Sequence, residues 1–384
     1  MRTPRSRVIG LLFLGMLVPL AHCGAAPSGD AQPAAAAPPA RVEPAPSAPA
    51  TPAAETAPAV EVARSADAPR APSGCDAGAP RGTSMLSGAS SFVQGADPFV
   101  LKDPSGAQFL FTTNRPGVNV PAYQLRDVGT LEPLGDALPA MPKWAKRGFT
   151  WAPEVLRLSS DRYALWFSAR DAKSDRQCVG RAFASRPQGP YVDDSDVAFL
   201  CEDEAAIDQS PFRDDDGQLY LLWKTKEQAA RGLRTTIWIG RLDASANLVT
   251  KSMKPLLAND QSWEGEHVEA PTLIHRKDGY FLFYSAGAST DRGYLVSYAT
   301  ATNVDGPYRK SNDILIGGNP CMKGAGHEAL VPAGDDDYLI YYHAFHPERR
   351  DVQAGKSRFL DYAHLCFRGG KPVAQDAACG KPNR

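Results

Sequence analysis

Between residues 73 and 384, short runs alternate apolar and polar positions with a period of two, and few segments carry a helical period. One unit recurs: a polar residue close to a proline, a short apolar strand, a turn, and an aromatic-rich strand. Its copies are Asp97–Leu101 with Gln108–Phe111, Ala152–Leu156 with Tyr163–Phe167, Ser210–Phe212 with Leu219–Trp223, and Ala270–Ile274 with Tyr280–Tyr284. A fifth copy, without the proline, is Ala329–Val331 with Tyr338–Tyr342. The intervening Pro104-Ser105-Gly106, Asp214–Gly217, Lys277-Asp278-Gly279 and Gly334–Asp337 carry hairpin-turn residues. Their acidic runs read as solvated turns rather than cation loops.

The prolines at 98, 153, 211 and 271 are spaced by 55, 58 and 60 residues. Units of this length hold about four strands each, which is what a β-propeller requires, and about 310 residues accommodate five blades. The β-branched and aromatic character of the units excludes helical repeats. WD and kelch signatures are absent. The expected fold class is all-β, a five-bladed β-propeller. The first strand of each propeller blade lines the central channel, so residues far apart in sequence meet there. The positions expected to be equivalent are Asp97, Trp151, Asp208, Glu269 and His327, one per blade.

The N-terminal part reads differently. Arg2, Arg5 and Arg7 precede an apolar run, Val8–Leu20, too short to span a membrane comfortably, so residues 1–23 read as a signal peptide. It ends in Leu20-Ala21-His22-Cys23, similar to a bacterial lipobox, which makes Cys23 the lipidation candidate, with simple secretion as the alternative. Residues 24–72 are dominated by Ala and Pro, without Leu, Ile or aromatics, and read as a disordered, extended spacer. The propeller then occupies 73–384. Such a chain is exported and reaches a membrane only through an N-terminal lipid.

Net charge is −1, which argues against a nucleic-acid partner. Of seven cysteines, Cys178 and Cys201 bracket one hairpin-like stretch and are the expected disulfide; the rest allow several connectivities. No spacing matches a zinc-thiolate site.

The runs Ala96-Asp97-Pro98-Phe99, Trp151-Ala152-Pro153-Glu154-Val155, Ile207–Phe212, Val268-Glu269-Ala270-Pro271 and Gly326-His327-Glu328 resemble glycoside hydrolase family 43. So do Gly189-Pro190-Tyr191 and Gly306-Pro307-Tyr308, and the likeness extends from about 90 to 375. The sequence departs from the family's pattern at Gln209, where Pro is common, and at Ala270, where Gly is frequent. The resemblance implies a monomeric, inverting hydrolase of arabinosyl or xylosyl linkages that needs no cofactor. It makes Asp97 the general base, Glu269 the general acid, and Asp208 the carboxylate that orients the acid and keeps its pKa raised. Trp151 and Trp263 are candidate sugar-stacking residues. His327 matches a channel histidine that contacts substrate or approaches a structural calcium ion in the central channel, with a role in holding its strand as the alternative.

Inverting chemistry needs these residue types independently of the family: one carboxyl protonates the leaving oxygen, and one carboxylate activates water. The competing readings are a carbohydrate-binding propeller without activity, an endo-acting arabinanase of the same fold, and a retaining glycosidase. The Asn-Asp-Pro-Asn and Arg-Asp-Pro motifs of the last do not occur.

Overall fold

The computed structural model describes residues 84–85 and 93–374, apart from 86–92, 128, 203–204, 226–233, 290–292, 319–321, 335 and 347–356. The signal peptide, Cys23 and the spacer to residue 72 lie outside the described residues.

Strand β1 (Ser84–Met85) precedes the first blade, β2 (Phe99–Lys102), β3 (Gln108–Phe111), β4 (Pro121–Asp127) and β5 (Thr130–Asp136). The second blade holds β6 (Trp151–Ser159), β7 (Arg162–Arg170) and β8 (Gln177–Ala184). The third holds β9 (Ala206–Arg213), β10 (Leu219–Thr225), β11 (Thr236–Leu242) and β12 (Lys254–Ala258). The fourth holds β13 (Val268–Arg276), β14 (Gly279–Ala286), β15 (Leu295–Ala301) and β16 (Arg309–Lys310). The fifth holds β17 (Lys323–Pro332), β18 (Asp337–Phe345), β19 (Phe359–Arg368) and β20 (Lys371–Ala374). Pairing is antiparallel throughout these sheets. The protein is an all-β, five-bladed propeller, and the two-strand units read from the sequence are its innermost hairpins.

The inner strands pack in a closed ring, β2 on β6, β6 on β9, β9 on β13, β13 on β17 and β17 back on β2. Alternation buries one face of each sheet against the next blade, so the core is five inter-blade clusters. Phe111, Leu165 and Phe167 fill the first seam, and Trp166, Leu221 and Trp223 the second. Leu222, Leu282 and Tyr284 fill the third, Phe283, Ile340 and Tyr342 the fourth, and Leu110, Tyr341 and Leu360 the fifth. The ring closes by β1 pairing with β19, Ser84 opposite Tyr362 and Met85 opposite Asp361. This pairs an early strand with a late one and covers an edge that would otherwise be open.

Two further ties repeat between blades. Tyr191 and Tyr308 each donate the hydroxyl to the carbonyl four residues earlier, at Pro187 and Val304. Cys178 and Cys201 form a disulfide with Cα atoms 4.5 Å apart, joining β8 to the segment leading into blade three.

Candidate active site

Near the start of each inner strand the backbone takes one left-handed step, at Asp97 (φ 53°), Ala152 (48°), Asp208 (53°), Ala270 (52°) and His327 (56°). This conformation costs an L-residue about 1–2 kcal/mol, somewhat less for Asp and His, so five repeats of it mark a built feature. The pairing slips there in four blades, between Trp151 and Glu154, Leu222 and Lys224, Glu269 and Thr272, and Gly326 and Ala329, as a β-bulge requires. True blade equivalence therefore runs through 97, 152, 208, 270 and 327. This corrects the sequence alignment at two places: Trp151 and Glu269 lie one residue before the equivalent position. At both places the left-handed residue is an alanine directly before the proline, and the side chain with recognisable chemistry stands one position earlier.

Each blade thus presents two successive positions. Where the left-handed residue is Asp or His, it faces the pocket (Asp97, Asp208, His327). Where it is Ala, the preceding residue does so (Trp151, Glu269). Together with Ile207, Ser289, Tyr294 and Arg358 these residues line a pocket of about 240 Å³. Gly326 is needed beside it, because a Cβ there would strike the Tyr294 ring and the Ser285 hydroxyl.

The left-handed step removes each of these amides from the strand ladder, and a side chain accepts it instead. Thr113 Oγ1 takes Ala152 N–H (3.0 Å), Ser168 Oγ takes Asp208 N–H (3.3 Å), Ser285 Oγ takes His327 N–H (2.8 Å) and His343 Nδ1 takes Asp97 N–H (3.2 Å). All four acceptors stand at one place on the second strand of the preceding blade. Ser168 pairs with Trp151, Ser285 with Glu269 and His343 with Gly326, while Thr113 N–H bonds Ala96. The fifth place belongs to Lys224, opposite Ile207. An ammonium cannot accept, and the Ala270 amide is taken by Asp208 Oδ2 at 3.2 Å.

Asp97 sits among cations and donors. Its Oδ1 lies 3.2 Å from Arg358 and 3.3 Å from Nδ1 of both His327 and His343, and its Oδ2 accepts the Thr113 hydroxyl. Burial works to raise its pKa, but Arg358 first and then His327 outweigh it and hold the carboxyl well below the usual range. His343, fully buried, is pushed down to about 4 by burial and by Arg358, which makes the ring neutral, and its Nδ1 accepts the Asp97 N–H.

Asp208 and Glu269 share a different environment. Burial pushes Asp208 up to about 6, opposed by His327 and reinforced by Glu269. Burial acts on Glu269 in the same sense, but the Lys224 ammonium bonded to Oε2, the Tyr294 hydroxyl donated to Oε1 at 2.8 Å, and His327 bring it below the ordinary glutamate value. Burial thus raises the Asp208 carboxyl, while Lys224, bonded to Glu269, holds that carboxyl down. Glu154 and Glu328 are also buried nearby, and desolvation raises both, Glu328 to about 8.

Trp151 forms part of the pocket wall. Trp263 does not; it packs on the cluster between blades three and four, having been placed in a loop by its polar neighbours. His327 Nδ1 lies 3.3 Å from Asp97 Oδ1, an oxygen that also faces the Arg358 guanidinium. Among the described residues the one grouping with metal-ligand spacing is Asp214, Asp215 and His275, beyond the other end of β9. There His275 Nδ1 lies 3.0 Å from Asp214 Oδ1, and the backbone closes an ordinary hairpin turn.

Sequence reasoning missed Lys224, Arg358, Tyr294, Thr113 and the role of His343. A signal existed for Lys224: it directly follows the aromatic-rich run Leu219–Trp223, within the same strand. Arg358 and Tyr294 lie outside the recurring hairpins and carry none.

Residues 92–363 match the family described as glycosyl hydrolases family 43. A β-D-galactofuranosidase of Aspergillus niger is 28% identical over 212 residues, 52% of this chain and 58% of that protein, so the chain spans little more than half of that relative's length. An extracellular exo-α-(1→5)-L-arabinofuranosidase of Cellvibrio japonicus is 24% identical over 301 residues, 69% of this chain and 82% of the relative. Among solved structures, a thermostable family-43 glycoside hydrolase superimposes with a TM-score of 0.63 at 23% identity, covering 74% of this chain and 94% of that one. The family match extends through all five inner strands and every carboxylate of the pocket, and the chain belongs to glycosyl hydrolases family 43.

Proposed function

We propose that the protein hydrolyses terminal arabinosyl or xylosyl units with inversion of the anomeric centre. The observation that carries this reading is the meeting of three carboxylates from three blades, Asp97, Asp208 and Glu269, in one pocket walled by an indole. Asp97, held ionised by Arg358, takes a proton from the attacking water as it adds to the anomeric carbon. Glu269 gives its proton to the departing glycosidic oxygen. Asp208 stays beside the acid through its bond to Ala270. The cycle ends with Asp97 protonated and Glu269 ionised, and exchange with solvent restores both.

A volume of about 240 Å³ is below that of pockets for drug-sized ligands and suits a single pentose ring with its attacking water, which favours terminal over internal cleavage. Relatives named as an exo-arabinofuranosidase and a β-xylosidase agree with this substrate class. Relatives named extracellular support export. Together with the Arg2–Cys23 leader, they lead us to a propeller beginning near residue 73 and tethered through lipidated Cys23 and the 24–72 spacer.

The test is incubation with 4-nitrophenyl α-L-arabinofuranoside, β-D-xyloside and β-D-galactofuranoside, then with arabino- and xylo-oligosaccharides. Release of a monosaccharide from the non-reducing end, with the inverted anomer formed first by proton NMR, is expected. Binding without cleavage across the panel overturns the reading in favour of a lectin-like propeller, and release of internal fragments in favour of endo action.

A further inference from the structure

The ring repeats one solution four times and departs from it once. Four blades place an acceptor (Thr113, Ser168, Ser285, His343) opposite the residue preceding the left-handed step, and that acceptor caps the amide of the next blade. Blade three places Lys224 there instead. The substitution has two consequences. The orphaned Ala270 amide draws in Asp208, and the Lys224 ammonium, 4% exposed, bonds Glu269. A buried cation is costly without a partner, and among the described residues the one polar atom within bonding distance of Nζ is Glu269 Oε2. Everything that distinguishes blade three therefore acts on the proposed acid.

We propose that Lys224 is a positioning residue for Glu269: its ion pair fixes the carboxyl in the pocket and sets how readily that carboxyl takes up and releases a proton. This inference rests on Glu269 being the general acid. The groups facing Glu269 are Lys224 from β10, Tyr294 ahead of β15, Asp208 from β9 and His327 from β17, with Glu328 beneath. Lys224 and His327 favour the ionised carboxylate, as does the Tyr294 hydroxyl, while Asp208 and Glu328 oppose it by like charge. Of these, Lys224 alone is an ammonium in direct contact. Removing it transfers the balance to the opposing acids. With Lys224 in place the enzyme instead has a more strongly acidic proton donor and is confined to the acidic side of the pH scale, since a general acid works only while protonated.

The structure also supplies the variant. Lys224→Ser restores the repeat's own side chain and gives Ala270 N–H a hydroxyl acceptor, as Ser168 does for Asp208, and Lys224→Arg keeps the charge. In Lys224→Ser the alkaline limb of kcat/KM on an aryl pentoside with a poor leaving group should move up by about one pH unit or more, while KM changes less than about threefold. A 2,4-dinitrophenyl pentoside, which needs no protonation, should show almost no shift, and Lys224→Arg should restore the wild-type limb. A folded Lys224→Ser protein whose alkaline limb stays in place overturns the inference.

Carbon-13 NMR titration of Glu269, assigned through Glu269→Gln, reads the same interaction without turnover. Its midpoint should lie below that of an ordinary glutamate in the wild type and rise in Lys224→Ser. Equal midpoints overturn the inference. If no pentoside is cleaved, the functional reading falls while this titration still decides the role of Lys224.

Discussion

Asp208 Oδ2 accepts the backbone N–H of Ala270 at 3.2 Å, so a carboxylate of blade three is tied to the residue that follows Glu269 in blade four. One side chain thereby serves as a structural cap and as part of the reacting constellation. The two duties separate on substitution. Asp208→Asn keeps an acceptor and should preserve stability while lowering kcat/KM about 10²-fold or more through loss of the charge beside the acid. Asp208→Ala leaves a buried amide unpaired and should cost about 1–3 kcal/mol in denaturant unfolding as well. Equal stability of the two variants would show that the bond contributes nothing to the fold.

Asp97 and Glu269 should be distinguishable by leaving group. Glu269→Gln is expected to lose about 10²–10⁴-fold on unactivated pentosides and far less on 2,4-dinitrophenyl pentosides, whose leaving group departs without a proton. Asp97→Asn should lose a similar factor on both, because both reactions need an activated water. A Glu269→Gln protein equally impaired on both substrates would remove the acid assignment.

Stability should decline toward alkaline pH. Asp208 and Glu328 have pKa values raised to about 6 and about 8 in the folded protein. Groups raised in this sense favour the fold fully below their unfolded values and cease to do so as pH climbs through the folded ones. The thermal midpoint should therefore fall from about pH 4 to about pH 8, more steeply below pH 6 where both groups contribute, and Glu328→Gln should flatten the part above pH 6. Asp97 contributes oppositely, with stability lost only as strong acid protonates it. A midpoint that rises from pH 6 to 9 would contradict these signs.

The bond between Cys178 and Cys201 closes a loop with a sequence separation of 23, for which chain entropy suggests about 3 kcal/mol. Replacing both by Ser should lower the thermal midpoint by several degrees and leave kcat/KM at 25 °C within about twofold, because neither cysteine lines the pocket. A large loss of activity without a loss of stability would place the bond in the catalytic machinery instead.

The blades were legible because each inner hairpin must alternate and must turn, and both requirements are written in local residue choice. The pocket carboxylates were legible because they recur at blade spacing beside prolines. Register was not: nothing in the letters of Trp151-Ala152-Pro153 or Glu269-Ala270-Pro271 shows that the left-handed step falls at the alanine. The charge balance was hidden for the same reason. Lys224 acts on Glu269 only because β10 and β13 are brought together by ring closure, and Arg358 reaches Asp97 across a sequence separation of 261 residues. Sequence-based reasoning could not see what holds the Glu269 carboxyl, because its counter-ion lay in another repeat.

The paired positions on the inner strands, Ala96-Asp97, Trp151-Ala152, Ile207-Asp208, Glu269-Ala270 and Gly326-His327, amount to a five-digit address for chemistry. Four of the digits have two settings on the same backbone step, whereas at Gly326 the earlier setting is closed by Tyr294 and Ser285. A functional group can move from one setting to the other, or a new one can be written at Ala152 or Ala270, without editing the ten or so large side chains that hold the ring together. Specificity in such a scaffold is changed digit by digit, and the fold need not be consulted at each change.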